Sequence, residues 1–184
     1  MGRRHLVSTF TALTGDIERV TPPGVEVRPS GDEESGAWLD AVAEATVHPD
    51  TQGVPWHEEF PREVIIEAEL DSAEAGDVRY AALRDGVLAG GATMRLVDGI
   101  AQLTGAATAP EHRRRGIQTA LLSARLADAA AAGCEVAVII VQPGSKSQQN
   151  AQRQGFDLLY TRAVLVKQPE PARLGVPVEG AEPP

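Results

Sequence analysis

The densest concentration of chemistry in the chain is the stretch Ala109-Pro110-Glu111-His112-Arg113-Arg114-Arg115-Gly116-Ile117-Gln118-Thr119-Ala120-Leu121-Leu122. Three arginines and a glycine stand just before a segment with helical apolar spacing, where a helix begins. The first turn of a helix carries backbone N–H groups with no intrahelical partner, and the macrodipole adds positive potential there. An anion is the ligand that such a turn takes. Gly116 has no Cβ, so the backbone can approach that ligand closely. A pyrophosphate, with charge spread over several oxygens, fits three arginines better than a carboxylate does. Taken alone, the same residues equally describe a solvated basic turn between strand and helix.

Other reactive residue types are sparse. Cys134 is the single cysteine, so no intramolecular disulfide can form. It falls at the start of an apolar run, whereas ligands of α/β sheets gather at the carboxyl ends of parallel strands. That predicts a buried, inert thiol. The histidines, His5, His48, His57 and His112, lack zinc-ligand spacing. Residues 46–63 carry Asp50, Glu58, Glu59 and Glu63 against Arg62. A solvated loop leading into an acidic first helical turn accounts for that charge, since acids there suit the helix dipole.

These residues need elements to position them. A strand is expected over 5–13, rich in β-branched and aromatic residues, and a short one over 25–28. Ser30, Gly31 and Asp32 offer caps for a helix reaching about Thr46, with Trp38, Val42 and Ala45 on one face. After an irregular segment over 47–58, Pro61 opens a helix to about Leu70. Strands follow over 78–84, 87–97 and 100–108, joined by Asp85-Gly86 and Asp98-Gly99, both strong hairpin turns. A long helix over 116–132 stops at Gly133, and the run 134–141 suits a central strand buried on both faces. A short polar helix over 146–154 and a last strand over 156–167 complete the pattern. The expected fold class is therefore α/β (α+β): a mixed sheet with an antiparallel meander followed by a right-handed βαβ unit.

The chain has 184 residues, 42% hydrophobic and 23% charged, enough for one domain with a proper core. Aromatics are only 4%, so Ala, Val, Leu and Ile must build that core. A net charge of −9 argues against nucleic acid or an anionic membrane as a partner. The first residues have a basic end, but Ser8, Thr9, Thr11 and Thr14 interrupt the apolar stretch and no small-residue cleavage site follows. Leu6 breaks the myristoylation pattern. The expected location is the cytoplasm.

With its order of elements, Arg113-Arg114-Arg115-Gly116-Ile117-Gln118 resembles the Arg/Gln-x-x-Gly-x-Gly/Ala motif of the GNAT superfamily of acyl-CoA-dependent N-acyltransferases. Gln118 departs from it, standing where the family has a small residue. Ser147, Ala151, Arg153, Gly155 and Phe156 fit the family's last helix and its Gly-Phe exit. The resemblance covers roughly residues 25–167. It implies helices on both sheet faces and binding of acetyl-CoA, or another acyl-CoA. Backbone at Ala106, Ala107 and Thr108 would pair with pantetheine. Arg113, Arg114, Arg115, Gly116, Ile117, Gln118 and Thr119 would hold the pyrophosphate, with Ser147, Asn150 and Arg153 also on the cofactor.

The resemblance further implies transfer of an acetyl group to a primary amine by direct attack. A small-molecule or peptide amine is the expected acceptor, with segment 46–63 as its acidic mouth and His57 or Glu58 in the base role. The family's tyrosine acid has Ala151 in its place, which leaves Tyr160 as the nearest alternative. The alternative function is a non-catalytic acyl-CoA-binding or regulatory domain. The expected division is an N-terminal strand and linker over 1–23, the GNAT-like domain over 24–167, and a disordered tail over 168–184 with five prolines. The start resembles the end of an upstream half in tandem members of the superfamily. The strand over 5–13 is then expected to fill the sheet beside strand 156–167, in cis or from a second subunit, which makes a homodimer an expected assembly.

Overall fold

The computed structural model describes residues 3–14, 19–50, 54 and 59–166. The β-branched start forms β1 (Arg3–Leu13), and β2 (Val25–Pro29) follows. α1 (Ser35–Val47) and α2 (Arg62–Glu74) precede the meander of β3 (Val78–Arg84), β4 (Val87–Val97) and β5 (Ile100–Thr108). Asp85 and Gly86 both have positive φ, as do Asp98 and Gly99, the conformation that two-residue hairpin turns require. α3 (Ile117–Ala131), β6 (Val136–Val141), α4 (Lys146–Arg153) and β7 (Asp157–Val166) complete the order.

Boundaries differ from the sequence expectation at several elements, among them α1 and α2. The residues offered as caps before α1 do not cap it: a 3-10 turn over Asp32–Glu34 comes first, with no side-chain cap. Arginines instead hold Asp32 and the acidic and hydroxyl side chains that follow it. Arg79 binds Asp32 at 2.7 Å and Ser35 at 2.5 Å, and Arg28 binds Glu34 at 2.5 and 2.8 Å. α2 also runs to Glu74, one turn beyond the expected Leu70. The tail over 168–184 lies outside the described residues.

Among the described residues seven strands form one sheet in the order β2-β3-β4-β5-β6-β1-β7. β5 and β6 are parallel, with α3 as their crossover, and every other pairing is antiparallel. Adjacent glycines in β4 show what covers each face. A Cβ on Gly91 would strike Trp38 and Val42 of α1, and one on Gly90 would come within 3.3 Å of Ile117 of α3. Neighbouring residues of a strand point to opposite faces, so α1 and α3 cover opposite sides of the sheet. The core is small and aliphatic, with Phe10, Tyr80, Met94, Leu121, Leu126 and Phe156 as its large members. Among the described residues no helix is long and apolar enough to cross a membrane.

β1 sits inside the sheet, antiparallel to β6 on one side and β7 on the other. The N-terminal strand thus fills the sheet beside β7 in cis, and β7 becomes the edge. Leu158, Leu159 and Leu165 of β7 stand exposed there, Leu165 at 71%.

Candidate functional site

The site grows from a defect between two parallel strands. β5 pairs with β6 only from Ile100 to Leu103, opposite Val136 to Ile139. The register with β4 also slips next, from Thr93–Gly105 to Met94–Leu103, which leaves Thr104 as an extra residue. Such a bulge bends a strand away from its neighbour. Residues 104–108 therefore leave β6 while keeping β4. Buried Arg125 of α3 braces the bend. Its guanidinium, 2% exposed, donates to the carbonyls of Thr93 and Gly105, both at 2.9 Å, and of Leu121 at 3.2 Å. Burial pulls its pKa down to about 10, so the group stays cationic at neutral pH.

Beyond β5 the chain turns into the arginine loop. Arg114 is left-handed at φ 61°, which is uncommon outside glycine, and Gly116 follows at φ 80° as the residue before α3. The first helical hydrogen bond of α3 is Ala120 N–H to Gly116 O, at 2.9 Å. The N–H groups of Ile117, Gln118 and Thr119 are therefore the unpaired donors of that helix start. All three residues line one cavity of about 890 Å³.

The cavity gathers most of the residues singled out by sequence. Ala106, Ala107 and Thr108 line it, with Arg113, Arg114, Gly116, Ile117, Gln118 and Thr119. Ser147, Asn150 and Arg153 of α4 line it too, at spacings of three that keep them near one helix face. Arg115 turns outward and lines a smaller neighbouring hollow of about 310 Å³ with Pro110, Glu111, Arg113 and Arg114. Arg114, Arg153 and Lys146 concentrate positive charge here in an otherwise acidic chain.

Several side chains act differently from what their types suggest. Arg113 donates to the carbonyls of Thr108, Ala45 and His48, so it ties the loop to the end of α1. Gln118 donates its amide to the Thr108 hydroxyl at 2.9 Å, folding back onto β5. A Cβ on Gly116 would lie 2.7 Å from Pro22, so the absent side chain also makes room for the linker before β2.

Of the expected catalytic residues, Tyr160 alone lies among the described residues. His57 and Glu58 lie outside the described residues. Tyr160 is 46% exposed, pairs with Thr9 of β1 and does not line the cavity. β1 intervenes between β6 and β7, which sets Tyr160 about two strand spacings, roughly 10 Å, from β6. Cys134 is a buried free thiol just before β6, away from the cavity. From the acidic segment, Asp50 and Glu59 reach the cavity wall.

Sequence reasoning missed His112, Ile65, Lys146 and the end of α1, which also line it. The placement of Ile65 and of the end of α1 depends on how α1 and α2 pack, which no local pattern encodes. It also missed Glu69 of α2, whose Oε1 lies 3.5 Å from the position of a Cβ on Gly105.

The family model described as Acetyltransferase (GNAT) family matches residues 39–156. No curated protein matches the chain. Among solved structures, a GCN5-related N-acetyltransferase from Sphaerobacter thermophilus is 18% identical with a TM-score of 0.66, covering 89% of this chain and 51% of its own. An acetyltransferase of the GNAT family from Colwellia psychrerythraea is 16% identical with a TM-score of 0.64, covering 90% and 56%. The PaiA N-acetyltransferase of Thermoplasma acidophilum, solved in complex with coenzyme A, is 17% identical with a TM-score of 0.55, covering 72% and 89%. The chain thus spans little more than half the length of the first two. At these identities the likeness is one of fold.

Proposed function

The chain belongs to the GNAT acetyltransferase family, and from that premise we propose that it transfers an acetyl group from acetyl-CoA to a primary amine by direct attack. One observation carries the reading. A single cavity joins the diverging end of β5, the unpaired N–H groups of α3 and the polar face of α4. An extended ligand with an amide-bearing arm and a charged pyrophosphate matches that sequence of surfaces.

The residues present fit such a ligand. Ala106, Ala107 and Thr108 offer backbone to the amides of its arm. The N–H groups of Ile117, Gln118 and Thr119, with the Arg114 guanidinium, hold the pyrophosphate. Arg115 adds positive potential from the outer side, and Arg113 keeps the loop fixed to α1. Ser147, Asn150 and Arg153 take the nucleotide end. Acetyl-CoA supplies an activated acyl group on a good leaving thiol. A backbone N–H of β5 would polarise the thioester carbonyl and stabilise the negative charge that develops on its oxygen.

Asp50 and Glu59 on the wall suit a cationic small-molecule or peptide amine. The exposed leucines of β7 support a homodimer formed along that edge. The test is release of CoA thiol from acetyl-CoA with a panel of amines: a polyamine, an aminoglycoside, an arylalkylamine and a dipeptide. Release above background with at least one amine is expected. CoA binding in calorimetry with no release across the panel would instead assign a non-catalytic acyl-CoA-binding role.

A further inference from the structure

Where β5 bends away from β6, two carboxylates meet it from the side of α1 and α2. Asp77, just before β3, is fully occupied: one oxygen accepts from Arg95 at 2.5 Å and the other from Thr104 at 3.1 Å. Glu69 is not. Its Oε2 is buried and has no hydrogen-bond partner, while Oε1 lies against the bare backbone of Gly105. A buried carboxylate oxygen left unpaired is costly, and native structures seldom keep one without a use. Neither Glu69 nor Gly105 lines the cavity itself; both stand next to its wall, since Gly105 directly precedes Ala106 and Ile65, one helical turn before Glu69, belongs to the lining.

We infer that Glu69 is the base that takes the proton of the acceptor amine. The inference rests on the acetyltransferase reading above. The incoming ammonium gives one proton to the Glu69 carboxylate. Its nitrogen then bonds to the acyl carbon as the carbon–sulfur bond breaks. The second proton leaves the nitrogen with the sulfur, giving the amide and CoA thiol, and Glu69 returns its proton to solvent.

The electrostatics support the role. Burial first, and then the charge of Asp77, raise the Glu69 carboxyl above its ordinary value, toward the range where a carboxylate accepts a proton from an amine. Arg95 of β4 faces Asp77 rather than Glu69, Thr93 and Thr104 present only hydroxyls, and the Asp40–Arg62 pair of α1 and α2 stands two turns away. The sign of the linkage separates this role from a structural one. A carboxyl with a raised folded pKa binds its proton more tightly when folded. Its ionised form costs stability above that pKa, and the cost disappears as pH falls through it. Glu69→Gln should therefore melt no lower than the wild type at mildly alkaline pH, yet lose activity.

The experiment compares wild type and Glu69→Gln for CoA binding by calorimetry and for CoA release with the amine panel across pH. The expected result is unchanged CoA affinity, about a hundredfold or greater loss of kcat/KM, and loss of the acidic limb of its pH profile. A wild type that turns over an amine while the variant keeps its rate and profile would overturn the role of Glu69 and leave the acetyltransferase reading standing. No release by the wild type with any amine would overturn both. Should the variant not fold, the Glu69 side-chain carboxyl carbon is titrated by NMR in the wild type. A midpoint matching the acidic limb of kcat/KM supports the role, and a midpoint at the ordinary glutamate value overturns it.

Discussion

Gly116 is held by two separate constraints. Its φ of 80° is a conformation that residues with a Cβ avoid, and a Cβ there would press on Pro22 at 2.7 Å. Both act at the point where α3 opens toward the cavity. Gly116→Val therefore has to move the N–H groups of Ile117 and Gln118 from their present directions. CoA affinity should fall at least tenfold, about 1.4 kcal/mol, by titration calorimetry. Melting temperature should fall as well, because Pro22 and the linker must yield. Unchanged affinity with the fold intact would show that the helix start does not bind the pyrophosphate.

Among elements, α1 does more than cover the sheet. Trp38 donates its indole N–H to the Tyr80 carbonyl at 2.8 Å, and Trp38 and Val42 sit where a side chain of residue 91 would be. The helix can come this close to β4 only because Gly91 is bare. Its last turn supplies the Ala45 carbonyl, and the next residue the His48 carbonyl, that fix Arg113. Gly91→Ala would push α1 outward, at a cost of about 1–3 kcal/mol for overpacking. Chemical denaturation should read that loss as a lower midpoint. Calorimetry should show weaker CoA binding too, since Arg113 loses its anchors although residue 91 lies outside the cavity lining. Lowered stability with intact affinity would mean that α1 does not position the loop.

On the scale of the whole molecule, the N-terminal strand joins the edge strand β7 to β6 and the rest of the sheet. β7 has β1 as its partner, and β1 also covers the edge of β6 from Val136 to Val141. Without β1, the apolar β6 and β7 both present free edges, and such edges aggregate. Deletion of residues 1–14 should abolish a cooperative thermal transition or drive the protein into aggregates, as followed by circular dichroism and light scattering. The same light-scattering measurement on the full chain should give twice its mass of 19.4 kDa if two copies pair along β7. An unchanged melting temperature on deletion would show β1 to be dispensable.

Local patterns alone placed most elements of this protein. Asp-Gly turns, a Gly-stopped helix and an unbroken apolar run have meanings set within a few residues, because turn geometry and capping are short-range. The arginine loop was legible for the same reason: an anion site at a helix start is built from consecutive residues. Other features were decided only in three dimensions. Asp32, one of the capping residues offered before α1, was claimed by Arg79, which arrives from the neighbouring strand β3. Gln118 turned to Thr108, and Tyr160 was carried away from the cavity by an inserted strand. Glu69 has nothing in its sequence neighbourhood to mark it, since its unpaired oxygen arises from the packing of α2 against a bulge in β5. Which polar groups find partners depends on contacts between residues far apart in the chain, and tertiary packing alone sets those.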